Sequence, residues 1–170
     1  MNGELTRVFL ALWPDENVRK ALARLSAEVA RNGRRVPPSN IHMTLRFIGD
    51  VDAPRLAALR HVIEGFAWCP GEILLDTLGY WSRQQLVFAA PRHGHEWLAE
   101  IVERLEAALG ACGLPKCRRA FKPHITLARK VRHQPPEVQF EIPWCCERLV
   151  LVQSTLSSSG ARYTVLARAS

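Results

Sequence analysis

No apolar run in this chain approaches the roughly 20 residues that a membrane-spanning helix needs. A secretory leader is not expected either: Glu4 and Arg7 interrupt what would be its apolar core, and Asp15 follows soon after. The five cysteines, Cys69, Cys112, Cys117, Cys145 and Cys146, contain no CxxC pair, and their number is odd. That argues against a disulfide framework or a cysteine-built zinc site and for reduced thiols in a cytoplasmic protein, with catalytic cysteine a minor alternative. Negative charge is absent from one long stretch. Lys116, Arg118, Arg119, Lys122, Arg129, Lys130 and Arg132 follow one another with no Asp or Glu between them. Taken alone, such a run is a solvated basic face.

What is present is a chain of 170 residues, 48% apolar, with a formal net charge of +7. That is enough for one domain, or for two small lobes with a shared core. Its organising feature is a repeat. His42-Met43-Thr44-Leu45 and His124-Ile125-Thr126-Leu127 have the same pattern, each following a proline, Pro38 or Pro123. Side chains alternate along a strand, so His42 and Thr44 share one face, as do His124 and Thr126. Their apolar partners share the other. The basic run brackets the second copy, which turns its reading toward a phosphate-bearing partner.

The spacing of apolar residues predicts the remaining elements. Arg7 to Trp13 is a strand ended by Pro14. Asp15 caps a helix over residues 15–31 with Val18, Leu22, Leu25 and Val29 on its inner face. The first motif strand covers 40–48. Asp52 caps a second helix, with Leu56, Leu59, Val62 and Phe66 as its stripe. Residues 73–81 and 85–90 read as a hairpin, and Pro91-Arg92-His93-Gly94 as the boundary between halves. A third helix over 95–112 buries Leu98, Ile101, Leu105 and Leu109. The second motif strand runs 124–130, a short edge strand covers 140–142 up to Pro143, and strands at 148–155 and 163–168 close the chain. Each half thus supplies strands, a helix and one HxTL strand. The expected fold is α+β: two similar lobes of about 1–91 and 92–170, related by a pseudo-twofold, with strand exchange between them allowed. Antiparallel sheets would line a central cleft, with helices packed outside.

Zinc-binding histidine pairs usually lie close together on one element and recruit a third ligand. These two lie far apart, and threonine is a poor zinc ligand, so no metal and no cofactor is expected. Acid–base work suits the residues better. One neutral imidazole can accept a proton while a charged one donates. Hydroxyls on the same face can bond phosphoryl oxygens, and an arginine can offset the charge of a five-coordinate transition state.

At these residues the chain resembles the 2H phosphoesterases, named for two HxT/S motifs. Within them it is most similar to the RNA 2′,3′-cyclic phosphodiesterases, also called 2′-5′ RNA ligase-like proteins. The resemblance spans RVFLALWPDE, VPPSNIHMTLRFIGDV, AFKPHITLAR and GARYTVLARA. It implies a bilobal fold and metal-free hydrolysis of a 2′,3′-cyclic phosphate to a 2′-phosphate. By resemblance His42 is the proton donor to the leaving 3′ oxygen, His124 the acceptor that activates water, and Thr44 and Thr126 the holders of phosphoryl oxygens. Arg129 matches the arginine that follows the second motif.

Arg129 poses a difficulty. It lies five residues beyond His124, so on a regular strand it faces away from the cleft unless the strand bends near Ala128. Arg46, two residues after Thr44, has the right parity and is a second candidate. Lys122, Phe9 and Tyr163 complete the expected substrate-binding set, the two aromatics as stacking partners for a base, although core packing suits Phe9 equally. The partners expected are RNA ends or small cyclic nucleotides, acted on by a monomer with no obligate protein partner and no membrane. Reversible 2′-5′ ligation, a small cyclic nucleotide substrate, and an RNA-binding module without chemistry stand as alternatives.

Overall fold

The structure is a computed structural model and describes residues 4–93 and 95–170. The first strand explains why its sequence is apolar throughout. Along β1 (Thr6–Leu12), Val8, Leu10 and Leu12 face the main core, whereas Phe9 and Ala11 join a smaller cluster with Trp13, Val150 and Val152. A strand buried on both faces has no polar alternation to show.

Helix α1 (Glu16–Val29) starts at Asp15, whose carboxylate accepts from the backbone N–H of Asn17 and Val18 at 2.8 and 3.0 Å. Its inner face carries Val18, Leu22, Leu25 and Val29, and also Ser26. After β2 (Arg34–Arg35) and one 3₁₀ turn (Pro38–Asn40) comes β3 (Met43–Val51), which carries the first motif. Helix α2 (Ala53–Glu64) is capped by Asp52 and buries Leu59 and Ile63, so Ile63 takes the position expected of Val62.

The expected hairpin strand over 73–81 is two strands. β4 (Gly71–Leu75) and β5 (Thr77–Trp81) part at Asp76, whose carboxylate accepts from the Arg92 backbone N–H at 2.8 Å. β5 pairs with β6 (Leu86–Ala90), whereas β4 pairs with β8 (Ile142–Cys146) in a separate two-stranded sheet. The edge strand expected at 140–142 therefore lies further on and runs through Pro143. Proline is tolerated there because a two-stranded sheet has only edges, where the missing N–H can face outward. Between these lie α3 (Glu96–Ala111), with the four expected apolar residues buried, and β7 (Ile125–Arg129) with the second motif. β9 (Leu149–Ser157) and β10 (Gly160–Arg168) are longer than expected and reach into the Ser157–Gly160 turn.

The large sheet has the order β10-β9-β1-β3-β7-β6-β5, with β2 paired to β7. Its middle is narrow: β3 and β7 share the single pair Met43 and Ile125. On one side stand β10, β9, β1 and β3, on the other β7, β6 and β5. The division does not fall at residues 91 and 92. β5 and β6 precede that point yet pair beside β7, and the C-terminal β9 and β10 sit beside β1. Strands are thus exchanged between halves. Gly94, part of the expected boundary, lies outside the described residues. The helices α1 and α2 pack against opposite wings, α1 on β7 and β8, α2 on β9 and β10. Among the described residues no helix is long and apolar enough to cross a membrane.

Candidate active site

The Met43–Ile125 pair brings the two motifs together. Both side chains are fully buried in the core, so the residues on either side of each point the other way. Antiparallel register sets His42 across from Thr126, and Thr44 across from His124. All four line one pocket of about 520 Å³ where the wings part.

Each histidine is anchored alike. His42 Nδ1 lies 2.7 Å from the carbonyl of Asn40, and His124 Nδ1 lies 2.7 Å from that of Lys122. A carbonyl only accepts, so Nδ1 carries the proton and Nε2 of the neutral ring keeps its lone pair. His42 Nε2 also meets Thr44 Oγ1 at 2.9 Å; in the neutral ring this nitrogen accepts from the hydroxyl.

The walls are aromatic. His42 stacks on Trp13 at 5.5 Å and touches Phe9 and Tyr163 at 4.9 and 5.3 Å between ring centroids. Trp81 and Phe88 meet His124 at 4.7 and 5.7 Å. Gly79 makes room for the second cage, since a Cβ there would collide with the Phe88 ring. Aromatic enclosure strips water from the imidazolium. Burial is the main reason that His42 is pushed down to about 4, with Arg129 and His124 adding repulsion against the Asn40 carbonyl bond. Burial, then Arg129, lowers His124 in the same direction.

This has a consequence for stability. Between pH 6.5 and about 4, unfolded His42 takes up a proton that the folded protein does not, so stability rises with pH across that window. The contribution is present above pH 6.5 and lost as the pH falls toward 4. It amounts to about 3 kcal/mol. Urea titrations of the protein and of His42→Gln at several pH values are expected to show a steeper acid loss in the unmutated protein; parallel curves would refute this.

The position of Arg129 follows from a β-bulge. Along β7, Thr126 faces Phe88 but Ala128 faces Val87, leaving Leu127 as an extra residue. The bulge shifts parity by one, and Arg129 returns to the pocket. Its carbonyl is well used: Leu127 O accepts from Ser26 Oγ at 2.8 Å and from the Val36 N–H at 2.9 Å. β3 has the same bulge at the same place. Ala11 faces Thr44 and Leu10 faces Arg46, leaving Leu45 unpaired. Arg46 is therefore turned away from the pocket, contrary to its expected place. Its Nε lies 2.8 Å from Glu106 Oε1, and its Nη2 donates to the Pro115 carbonyl at 2.7 Å. Phe47 takes the cleft-facing position instead.

The other expected residues divide. Tyr163 lines the pocket with its ring edge-on to Phe9. Phe9 also lines the pocket, but it is only 4% exposed and its ring packs against that of His42. The Lys122 side chain is not in the pocket lining; its carbonyl is what reaches the site. Arg34 and Arg35 lie outside the set expected from the sequence, yet they line the pocket with Arg129 and with Lys130 of the basic run. Arg34 and Arg129 are register partners on β2 and β7. Like charges directly opposite are unfavourable unless an anion lies between them. Among the described residues the lining includes no carboxylate and none of the five cysteines. Lys116, Arg118 and Arg119 are outside it. Among the described residues no three His, Cys, Asp or Glu side chains converge as metal ligands.

The pocket thus presents two imidazole rings, two threonine hydroxyls and four cations to one small volume. Comparison with known proteins points the same way. The family model described as the 2′-5′ RNA ligase superfamily matches residues 11–155. A Thermus thermophilus protein named RNA 2′,3′-cyclic phosphodiesterase is 36% identical over 94% of this chain and 87% of its own. A crystal structure titled as a phosphoesterase superposes with a TM-score of 0.88 at 27% identity, covering 97% of both chains. Escherichia coli LigT in complex with 3′-AMP gives 0.81 at 27% identity, again over 97% of both. The match of the family model over most of the chain, on a fold that sets both HxTL strands against one cleft, places this protein in the 2′-5′ RNA ligase superfamily.

Proposed function

We propose that the protein hydrolyses the 2′,3′-cyclic phosphate at RNA ends to a 2′-phosphate, without a metal. The observation that carries this reading is the pair of Nε2 atoms aimed into one cationic pocket, each with its Nδ1–H bonded to a carbonyl two residues back. His124 Nε2 removes a proton from water as the water oxygen bonds to phosphorus. His42, protonated at Nε2, delivers its proton to the 3′ oxygen as the P–O3′ bond breaks. Thr44, Thr126 and Arg129 hold the non-bridging oxygens, where charge accumulates. Burial, with the repulsion of Arg129 and His124 added to it, holds His42 neutral at pH 7, so the charge of the bound phosphate must favour its protonation against both. The names of the relatives, and the 3′-AMP complex of LigT, support a nucleotide end as substrate.

The test is the product formed from an RNA ending in a 2′,3′-cyclic phosphate, with a chelator present. A 2′-phosphate end is expected. A 3′-phosphate would reverse the leaving group, and no turnover at all would sink the reading.

A further inference from the structure

Among the described residues Arg129 makes no ion pair and no side-chain hydrogen bond. Arg46, by contrast, is held at its tip by Glu106 and the Pro115 carbonyl. The aim of Arg129 therefore comes from its backbone. It is the last residue of β7, and Lys130 behind it is left-handed, at φ +58°, so the strand stops there. On its β2 side the neighbour is a strand of only two residues. What ties this strand end to a larger element is Ser26. Its Oγ, on the inner face of α1, donates to the Leu127 carbonyl at 2.8 Å, at the bulge that turns Arg129 inward.

Packing alone does not call for a serine on that face. Ser26 is 1% exposed, the only buried polar residue among the described ones, and its companions are Leu22, Leu25 and Val29. Alanine would be the better helix former there and would bury no hydroxyl. A serine inside a helix also has a partner close by, the carbonyl four residues back; here the hydroxyl reaches across to β7 instead. Nor does the Leu127 carbonyl depend on it for a partner, since the Val36 N–H already donates at 2.9 Å. The matching bulge in β3, which delivers no arginine to the pocket, has no such side-chain clamp among the described residues. We propose that Ser26 is a positioning residue: by holding the Leu127 carbonyl it fixes the bulge, and the bulge fixes Arg129 on the phosphoryl oxygens. This rests on the phosphodiesterase reading and adds to it a residue outside the pocket lining. Loss of the bond lets the strand end drift while the carbonyl stays paired, so the rate suffers more than the fold.

The experiment is a double-mutant cycle. Ser26→Ala, and the size-matched Ser26→Cys whose thiol is a weak donor, are each made with Arg129 present and with Arg129→Ala. With Arg129 present, either Ser26 variant should lower kcat/KM for adenosine 2′,3′-cyclic phosphate about tenfold, because a misplacement of about 1 Å can cost on the order of a hundredfold. The pH profile should move toward alkaline pH, the direction expected when Arg129 no longer faces the histidines. The thermal melt should fall by only about 2–4 °C. In the Arg129→Ala background the melt should fall as far, yet kcat/KM should change by less than about twofold. A serine that merely supports the fold would lower the rate equally in both backgrounds, and that result overturns the proposal, as does an unchanged kcat/KM in either single variant. If the unmutated protein cleaves no 2′,3′-cyclic phosphate, the phosphodiesterase reading fails by itself. Positioning is then read by calorimetric titration with adenosine 2′-monophosphate, and it falls if Ser26→Ala does not weaken binding with Arg129 present, or weakens it equally without.

Discussion

Replacing His124 with alanine is expected to lower turnover of a 2′,3′-cyclic phosphate on the order of a thousandfold, and His42→Ala by a similar factor. A positioned acid or base typically contributes 10²- to 10⁴-fold. The double variant should be hardly worse than either single one, because groups that act as a unit do not add. Far-ultraviolet circular dichroism and a thermal melt check that the fold survives. The cavity left among Phe9, Trp13 and Tyr163 makes His42→Ala the variant more prone to destabilisation. His42→Gln fills more of that space and should be equally inactive. Near-normal turnover in any of these folded variants would remove paired-histidine catalysis.

The pH profile carries a separate sign. Both histidines are lowered in the free protein, so both limbs of the kcat/KM bell should lie on the acid side of where two ordinary imidazoles would put them. The two titrate next to each other, so the limbs belong to the pair.

Much of this site is legible in the letters of the chain, and the reasons are physical. Period-two alternation assigns His42 and Thr44 to one face, and repetition says that a second strand does the same. Helix faces follow from steps of three and four: α3 buries Leu98, Ile101, Leu105 and Leu109, and α1 starts where Asp15 supplies a cap. What strand parity cannot supply is a bulge. The extra residues Leu45 and Leu127 look like any other leucine in a strand, yet they decide that Phe47 and Arg129 enter the pocket and that Arg46 leaves it. The bulge at Leu127 is held by Ser26 and Val36, far off in sequence. Non-local pairing hides the other differences too. β4 joins β8 across about 70 residues, and Arg34 reaches the cleft only because β2 adds to the end of β7. The Arg34-Arg35 doublet was a visible signal, lying just before Val36-Pro37-Pro38, but a pair of arginines has no direction until its strand has a partner.

Arg129→Ala is the variant that draws these strands together. It should reduce kcat/KM by 10²- to 10³-fold, about 3–4 kcal/mol of transition-state stabilisation, the usual loss when one donor to a developing oxyanion is removed. Arg129→Lys should recover only part of it, since an ammonium keeps the charge but not the two-pronged geometry. A second consequence separates this from simple damage. Arg129 is one of the charges that hold both histidines down. Without it both should titrate higher, so the residual activity should show its bell displaced toward alkaline pH, while Arg129→Lys keeps it in place. A loss of rate with an unmoved profile would mean that Arg129 does not face the imidazoles, and the bulge at Leu127 would then have no catalytic purpose. A moved profile with a full rate would mean that its charge is felt but that it does not hold the phosphate. Only the two changes together assign Arg129 to the phosphoryl oxygens.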